Sequence, residues 1–443
     1  MKTKRHTENN YVSKPVIPLK DMGKPLKIGI FMDDFFPSSG GVARSIQLQI
    51  SELMKAGHVV TLFAPKVHFR APECEYVAMP VWWITGTPSF LCSIRFGEKI
   101  ADEIARSYDF DIVHSQNERG AMFLAAQIAK ISKATHVHTF HSNYAGTHAT
   151  SRVLSLINSM TFMSFAPFMM SKIRSDKTRI TARVPSKLPN AERSYLARRD
   201  WKLVAKLAQY VDGFTAPAPY VIDAINSATR DKLKDRGFVV PNGVASEVFL
   251  NADFIRPLDG KVRFLSCGRL DAEKRVDKII KAFAKLSKDN ARLFIVGDGT
   301  KRRSLEKLAR RKVKHGKVLF LGEFGQRERV ANEMANSDVF VFASYRFDTQ
   351  GMVLAEAACA GVPIIYCDDR LTVGVNKDNS LLTSPSVSGI AAAMKQLYVD
   401  KALRLSMSQA SRKLATSLSS DVMMDRFVTV YRRSIEHAAI INK

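Results

Sequence analysis

The 443-residue chain carries 67 Lys and Arg against 42 Asp and Glu, a formal net charge of +25, and 46% of its residues are hydrophobic. That apolar content is ample for packed cores and excludes a wholly disordered chain, while the length suits two domains of ordinary size. Cys74, Cys92, Cys267, Cys359 and Cys367 show no C-x-x-C spacing, which speaks against a disulfide framework or a zinc site and for a reducing cytoplasm.

The first ten residues are polar with no apolar stretch behind them, unlike a secretory leader. Apolar runs stay shorter than the roughly 18–20 residues of a spanning helix. The positive charge points to an anionic partner, either nucleic acid or a membrane surface, or else to a merely soluble basic surface. Its location along the chain has to choose.

Residues 1–25 read as a mobile tail. Lys27-Ile-Gly-Ile-Phe-Met32 is a short buried strand, followed by Asp33-Asp-Phe-Phe-Pro-Ser-Ser-Gly40-Gly41 and a helix of about four turns. Ile46, Ile50 and Leu53 give that helix one apolar face, and Gly57 ends it. Strands follow at 59–64, 111–114 and 136–141, the last two separated by a helix at 120–130. Strand–helix alternation of this kind predicts a parallel, doubly wound sheet. Asp109-Phe-Asp111 has a D-x-D form but runs straight into a buried strand, so it reads as a turn.

The alternation breaks between about residues 145 and 200. A stretch rich in Phe and Met, with Phe162, Phe165, Phe168 and Met169, precedes a basic run. From residue 151 to 210 there are twelve cations and three acids, a net +9. An apolar stripe beside such a run fits a patch that dips into a bilayer while cations meet anionic headgroups. Core packing is the alternative for the stripe. No recognised nucleic-acid-binding motif accompanies the charge, so nucleic acid is not the expected partner.

Phe238-Val-Val-Pro-Asn-Gly-Val244 closes the first half. A second βα series opens with a strand at 262–267 and continues with helix 277–286, strand 292–296, helix 303–311 and strand 318–321. Asp338-Val-Phe-Val-Phe-Ala343 reads as a strand, leading into Ser344-Tyr-Arg-Phe-Asp348-Thr349-Gln350-Gly351 and a helix that contains Glu356 and stops at Gly361. A strand, a Gly turn and a helix N-terminus together present free N–H groups and partial positive charge, which suits a diphosphate. Gly268-Arg269-Leu-Asp-Ala-Glu-Lys274 likewise lies between a strand and a helix. Fixed cations there can stabilise charge growing on a diphosphate leaving group.

The Asp348–Glu356 segment resembles the E-x7-E region of retaining nucleotide-sugar glycosyltransferases of family 4, with Asp348 in the first acidic position, one methylene shorter than the usual Glu. Arg269 and Lys274 match that family's G-R-x-x-x-x-K region, which holds the donor diphosphate. Gly40-Gly41 resembles its Gly-rich loop, and His141 in Thr139-Phe-His-Ser142 matches the His that projects beside the transferred sugar. His136, His138 and His148 lie near His141 without a carboxylate or Cys ligand close in sequence, so no metal is expected.

The resemblance spans about residues 26–440, weakest at 145–200. It implies an α/β GT-B architecture of two doubly wound, Rossmann-like domains facing across a cleft. The expected division is an acceptor-side domain at 26–245, a nucleotide-sugar domain at 246–420 and a last helix, 421–443, crossing back to the first. It also implies a retaining, metal-independent hexosyltransferase without a cofactor, its donor a nucleotide sugar such as UDP-glucose, UDP-galactose or GDP-mannose. In this reading His141 and Asp348 are catalytic, and Gly40, Gly41, Arg269, Lys274, Thr349, Gln350, Gly351 and Glu356 bind the donor. The implied acceptor is a membrane glycerolipid such as diacylglycerol or phosphatidylinositol, met peripherally at the inner face of the cell membrane. A soluble sugar or polysaccharide acceptor, or a non-catalytic nucleotide-binding module on the same fold, stays open.

Overall fold

The computed structural model describes residues 23–33, 41–65, 74–83, 92–143, 156–157, 159–177, 179–185, 194–253, 259–286 and 288–441. Residues 1–22, Gly40, residues 144–155 with His148, and residues 186–193 lie outside them. The tail, part of the Gly-rich loop and part of the basic segment therefore receive no structural account.

Two parallel sheets organise the chain. The first has seven strands in the order β3-β2-β1-β6-β7-β8-β9. Here β1 is Lys27–Phe31, β2 Val59–Pro65, β3 Glu75–Met79, β6 Ile112–Ser115, β7 Thr135–Thr139, β8 Gly213–Ala216 and β9 Gly237–Val239. The second has six, ordered β12-β11-β10-β13-β14-β15. These are β10 Val262–Cys267, β11 Ala291–Val296, β12 Lys317–Gly322, β13 Val339–Phe342, β14 Ile364–Tyr366 and β15 Ser380–Leu382. A small antiparallel pair, β4 (Val81–Trp83) with β5 (Cys92–Ile94), stands apart.

Central strands of both sheets are apolar on both faces because helices cover both sides. Ile28, Ile30 and Phe31 of β1, and Val339, Phe340 and Val341 of β13, have no exposed surface. In the helix Gly41–Lys55 the buried set includes the expected Ile46, Ile50 and Leu53, together with Gln49. The strand order reverses beside β1 in the first sheet and beside β10 in the second. In open α/β sheets the crevice at the carboxyl ends of such strands is where ligands bind.

The last helix, Ser420–Ile441, packs into the first sheet's core. Met423, Met424, Phe427, Val428 and Tyr431 join the same cluster as Ile28, Ile30, Ile46 and Ile50. Strands β3, β4, β5, β8, β9, β14 and β15 were not read as strands from the sequence.

Candidate active site

Three loops at strand ends of the second sheet carry the residues expected to bind the donor. After β13 the chain runs through Ser344 and Asp348 to Gly351, whose φ of +73° caps the helix Met352–Cys359 in the left-handed region. A glycine is suited to that turn because a Cβ is disfavoured there. Asp348 is gripped from both sides: its Oδ2 accepts from the Ser344 hydroxyl, and its Oδ1 lies 2.5 Å from Lys274 Nζ. Lys274 is itself fixed by its neighbour. Arg275, at φ +54°, donates to the Ala343 carbonyl at 3.1 Å and to the Pro385 carbonyl.

Glu356 lies on the buried side of its helix with 7% of its side chain exposed, and Arg327 Nη2 donates to its Oε1 at 2.9 Å. The Arg327 guanidinium also lies over the Phe249 ring, 5.2 Å from its centroid. Arg327 was not singled out from the sequence; it opens the helix Arg327–Ala335.

The loop after β10 is shaped by two distant glycines. A Cβ on Gly297 (φ +132°) would stand 2.0 Å from the Gly268 carbonyl oxygen, and one on Gly299 would meet the Leu270 backbone at 2.8 Å. The Gly297-Asp-Gly299 turn thus lets the Gly268–Leu270 backbone settle against it. Arg269 is 57% exposed there and pairs with Asp271 and Glu273, each at 3.0 Å. Ser266, Cys267, Gly268, Arg269, Lys274, Phe342 and Ala343 line one small pocket, so the two cations and the end of β13 share a single cavity wall.

Across the cleft, His141 follows β7. Its Nε2 is 2.7 Å from Gln116 Oε1, and its carbonyl accepts from Thr349 Oγ1 at 2.6 Å. Burial lowers its pKa to about 4, so the ring is neutral at physiological pH. Gln350 forms two hydrogen bonds with the Asn242 backbone, accepting its N–H at 2.7 Å and donating to its carbonyl at 3.0 Å. A Cβ on Gly41 would lie 3.3 Å from Met352 Sδ, which sets the start of the Gly41–Lys55 helix against the start of the Gly351-capped one. The structure therefore brings His141 and Gly41 to the Thr349–Met352 turn, Arg269 and Lys274 to one cavity wall, and Lys274 to Asp348. Glu356 is paired with Arg327.

The basic segment divides into two kinds of residue. Arg174 and Lys177 are buried in ion pairs with Asp176 and Asp212, so they are internal ties and not headgroup contacts. Lys172, Arg179, Arg183 and Arg198 are exposed. Of the expected stripe, Phe162 and Met169 pack on the core, whereas Phe165 and Phe168 are 47% and 53% exposed. Leu156, Ile157, Met160 and Tyr195 are also exposed. Lys172 Nζ sits 4.6 Å from the centroid of the Phe168 ring. Among the described residues no helix is long and apolar enough to cross a membrane, and no group of three or more metal-ligating side chains gathers.

Comparison with known proteins agrees with this geometry. Residues 39–248 match the model for Glycosyltransferase Family 4, and residues 251–414 match that for Glycosyl transferases group 1. An alpha-monoglucosyldiacylglycerol synthase of Streptococcus pneumoniae is 27% identical over 360 residues, covering 77% of this chain and 70% of that protein. A phosphatidyl-myo-inositol mannosyltransferase of Mycobacterium tuberculosis is 25% identical, covering 77% and 78%. The fold matches that of Anabaena HepE in complex with UDP and glucose, with a TM-score of 0.61 at 14% identity over 91% of this chain and 98% of that one. Two adjoining family models, two facing parallel sheets and a strand–turn–helix step at the carboxyl edge of each place this chain among the family 4 glycosyltransferases of GT-B fold.

Proposed function

We propose that the chain is a retaining, metal-independent hexosyltransferase that carries a hexose from a nucleotide sugar to a membrane glycerolipid. The second unit, residues 246–420, takes the donor: Arg269 and Lys274 on the diphosphate, Glu356 on the ribose hydroxyls, Asp348 and the Thr349–Gly351 backbone on the sugar. The first unit, 26–245 with the returning C-terminal segment 421–443, supplies Gly40, Gly41 and His141 and presents the acceptor. Nucleotide sugars of the UDP or GDP type fit the site's cationic wall. In the reaction the bond from the anomeric carbon to the diphosphate oxygen breaks, and its electron pair leaves on the diphosphate. The acceptor oxygen bonds to the anomeric carbon on the same face and gives its proton to the departing phosphate. Arg269 and Lys274 stabilise the charge that grows there.

The observation that carries the lipid acceptor is the exposed surface of the helix Phe162–Ile173 and its surroundings. Phe165, Phe168, Met160 and Ile157 are exposed, with Lys172 over the Phe168 ring, on the unit that holds His141. Exposed apolar side chains on a segment that also exposes cations suit an anionic bilayer, which supports a peripheral seat, in our reading on the cytoplasmic leaflet. The relatives named above as acting on diacylglycerol and on phosphatidyl-myo-inositol support the same reading.

The test is a transfer assay of purified enzyme with a panel of UDP- and GDP-hexoses, chelator present. Diacylglycerol or phosphatidylinositol in anionic vesicles is compared with soluble sugars and glucans. An α-linked glycolipid from an α-linked donor is the expected product. Transfer to soluble acceptors alone, or inversion at the anomeric carbon, would overturn the reading.

A further inference from the structure

We propose that Gln116 and Tyr431 are positioning residues that hold His141 as its Nε2–H tautomer, leaving Nδ1 as the acceptor for a hydroxyl of the bound substrates. The inference rests on the placement of His141 beside the transferred sugar.

Tyr431 is fully buried on the Ser420–Ile441 helix. Gln49 Nε2 donates to its hydroxyl at 2.9 Å, and that hydroxyl lies 2.8 Å from His114 Nδ1. Having accepted one hydrogen, the phenol gives its own to His114. Burial keeps His114 neutral, so the proton of that ring sits on Nε2, which lies 2.7 Å from Thr139 Oγ1. With its amide nitrogen on Tyr431, Gln49 turns its oxygen to Gln116 Nε2 at 3.1 Å. Gln116 then has only its oxygen left for His141 Nε2, 2.7 Å away. An amide oxygen cannot donate, so the imidazole nitrogen facing it must carry the hydrogen. Every bond from Tyr431 to His141 runs in one consistent sense.

The other ring nitrogen completes the case. His141 Nδ1 is buried and has no hydrogen-bond partner among the described residues. A buried acceptor left without a donor is costly, and a substrate hydroxyl would relieve that cost. The titratable neighbours of His141 on the adjoining strands are His138 and His114, both kept uncharged by burial. Across the cleft Thr349 bonds to its carbonyl, and the adjacent Asp348 is engaged by Lys274. The helix that returns from the donor unit thereby sets the protonation pattern of a histidine on the acceptor unit.

The direct measurement is ¹⁵N NMR of histidine-labelled full-length enzyme, with the His141 resonances assigned by their absence in His141→Ala. The Nε2–H pattern is expected. Gln116→Leu should give a mixture of tautomers and lower kcat on the order of tenfold, with little change in donor affinity. Tyr431→Phe should shift both readouts in the same direction. Gln116→Glu keeps an acceptor for Nε2–H and adds a negative charge that raises the His141 pKa, so activity should persist while its acid limb moves to higher pH. An Nδ1–H pattern in wild type overturns the inference, as do wild-type tautomer and kcat in both Gln116→Leu and Tyr431→Phe. Full transfer by His141→Ala would overturn instead the placement at the sugar on which the inference rests, and the NMR result separates the two failures.

Discussion

Lys274 and Asp348, 74 residues apart, meet as an ion pair at 2.5 Å with only 18% and 15% of their side chains exposed. Two of the proposed site residues are thus mutually neutralised. In the proposed role a diphosphate at Lys274 would compete with the carboxylate already in place, which keeps the ammonium in position. Lys274→Ala should lower kcat by roughly 10²–10³-fold, the effect of removing one transition-state charge partner, with a smaller change in donor KM. Steady-state kinetics with a radiolabelled donor reads both. A near-wild-type kcat would move the diphosphate elsewhere. Asp348→Glu, the residue usual in the family, should retain activity better than Asp348→Ala.

Glu356→Ala should weaken donor binding by about 1.5–3 kcal/mol, the worth of a hydrogen bond to a charged acceptor. The pairing with Arg327 at 2.9 Å adds a second expectation. Arg327→Ala strands a largely buried carboxylate and should weaken donor binding and lower the melting temperature together. The double variant should lose less than the sum of the two single losses. Isothermal titration with the nucleoside diphosphate settles it, and additive losses would mean that the pair does not act as a unit.

What was legible in the sequence is what lies within one strand–turn–helix step. The Asp348–Glu356 segment and the Gly268–Lys274 loop are continuous, so residue type and spacing carry their meaning. The partners that organise them come from far along the chain. Gln116 reaches His141 across 25 residues, Arg327 reaches Glu356 across 29, Asn242 reaches Gln350 across 108 and Tyr431 reaches Gln49 across 382. Single polar residues on helices or strand ends have no periodicity to mark them, and only the topology pairs them. Strand β3, Glu-Tyr-Val-Ala-Met, escaped for another reason. It is an edge strand whose inner residues are mostly part-exposed, so neither a buried run nor strict alternation announces it. In the basic segment charge could be counted from sequence, but which cations face inward could not. Arg174 and Lys177 are structural because Asp212 lies beneath them.

Gly297→Ala should be far more damaging than Gly260→Ala. Both glycines have positive φ, +132° and +68°, but a Cβ at 297 would stand 2.0 Å from the Gly268 carbonyl while one at 260 meets nothing within 4 Å. Gly260→Ala is expected to cost on the order of 1 kcal/mol for its backbone conformation. Gly297→Ala must also displace the Arg269 loop, so donor affinity should fall along with the melting temperature. Differential scanning calorimetry and donor titration on both variants check this. Equal behaviour would show that the loop does not depend on the turn beneath it.

Membrane attachment should follow the exposed residues and not the charge count. Replacing Phe165 and Phe168 by Ser, or Lys172, Arg179, Arg183 and Arg198 by Gln, should weaken co-sedimentation with anionic vesicles. Each cation near such a surface contributes about 1 kcal/mol, and the cationic part should fade as salt shortens the screening length to about 10 Å at 0.1 M. Arg174→Gln and Lys177→Gln should instead lower thermal stability, because each removes a cation paired with the buried Asp212. Negligible binding of wild type to both anionic and neutral vesicles would remove the bilayer and favour a soluble acceptor.

His114, His136, His138 and His141 are all held below the ordinary histidine value by burial, His138 at about 3 and His141 at about 4. Their neutral rings fit the fold, with Ser115 Oγ 2.8 Å from both His136 Nε2 and His138 Nδ1. In the unfolded chain each would titrate near 6.5. The unfolded state therefore takes up protons first as pH falls, and stability decreases with acid. The contribution is fully present above about pH 7. It is lost progressively below pH 6.5, down towards the depressed values of the folded protein. Urea unfolding at pH 8, 7, 6 and 5 should show a flat upper range and then a falling unfolding free energy. The slope at pH 5 should approach about 1.4 kcal/mol per pH unit for each histidine that is neutral only when folded. Replacing His136 by Gln should make that slope shallower even if stability at pH 8 drops. A slope that ignores this substitution would mean that His136 is not protonated on unfolding in that range.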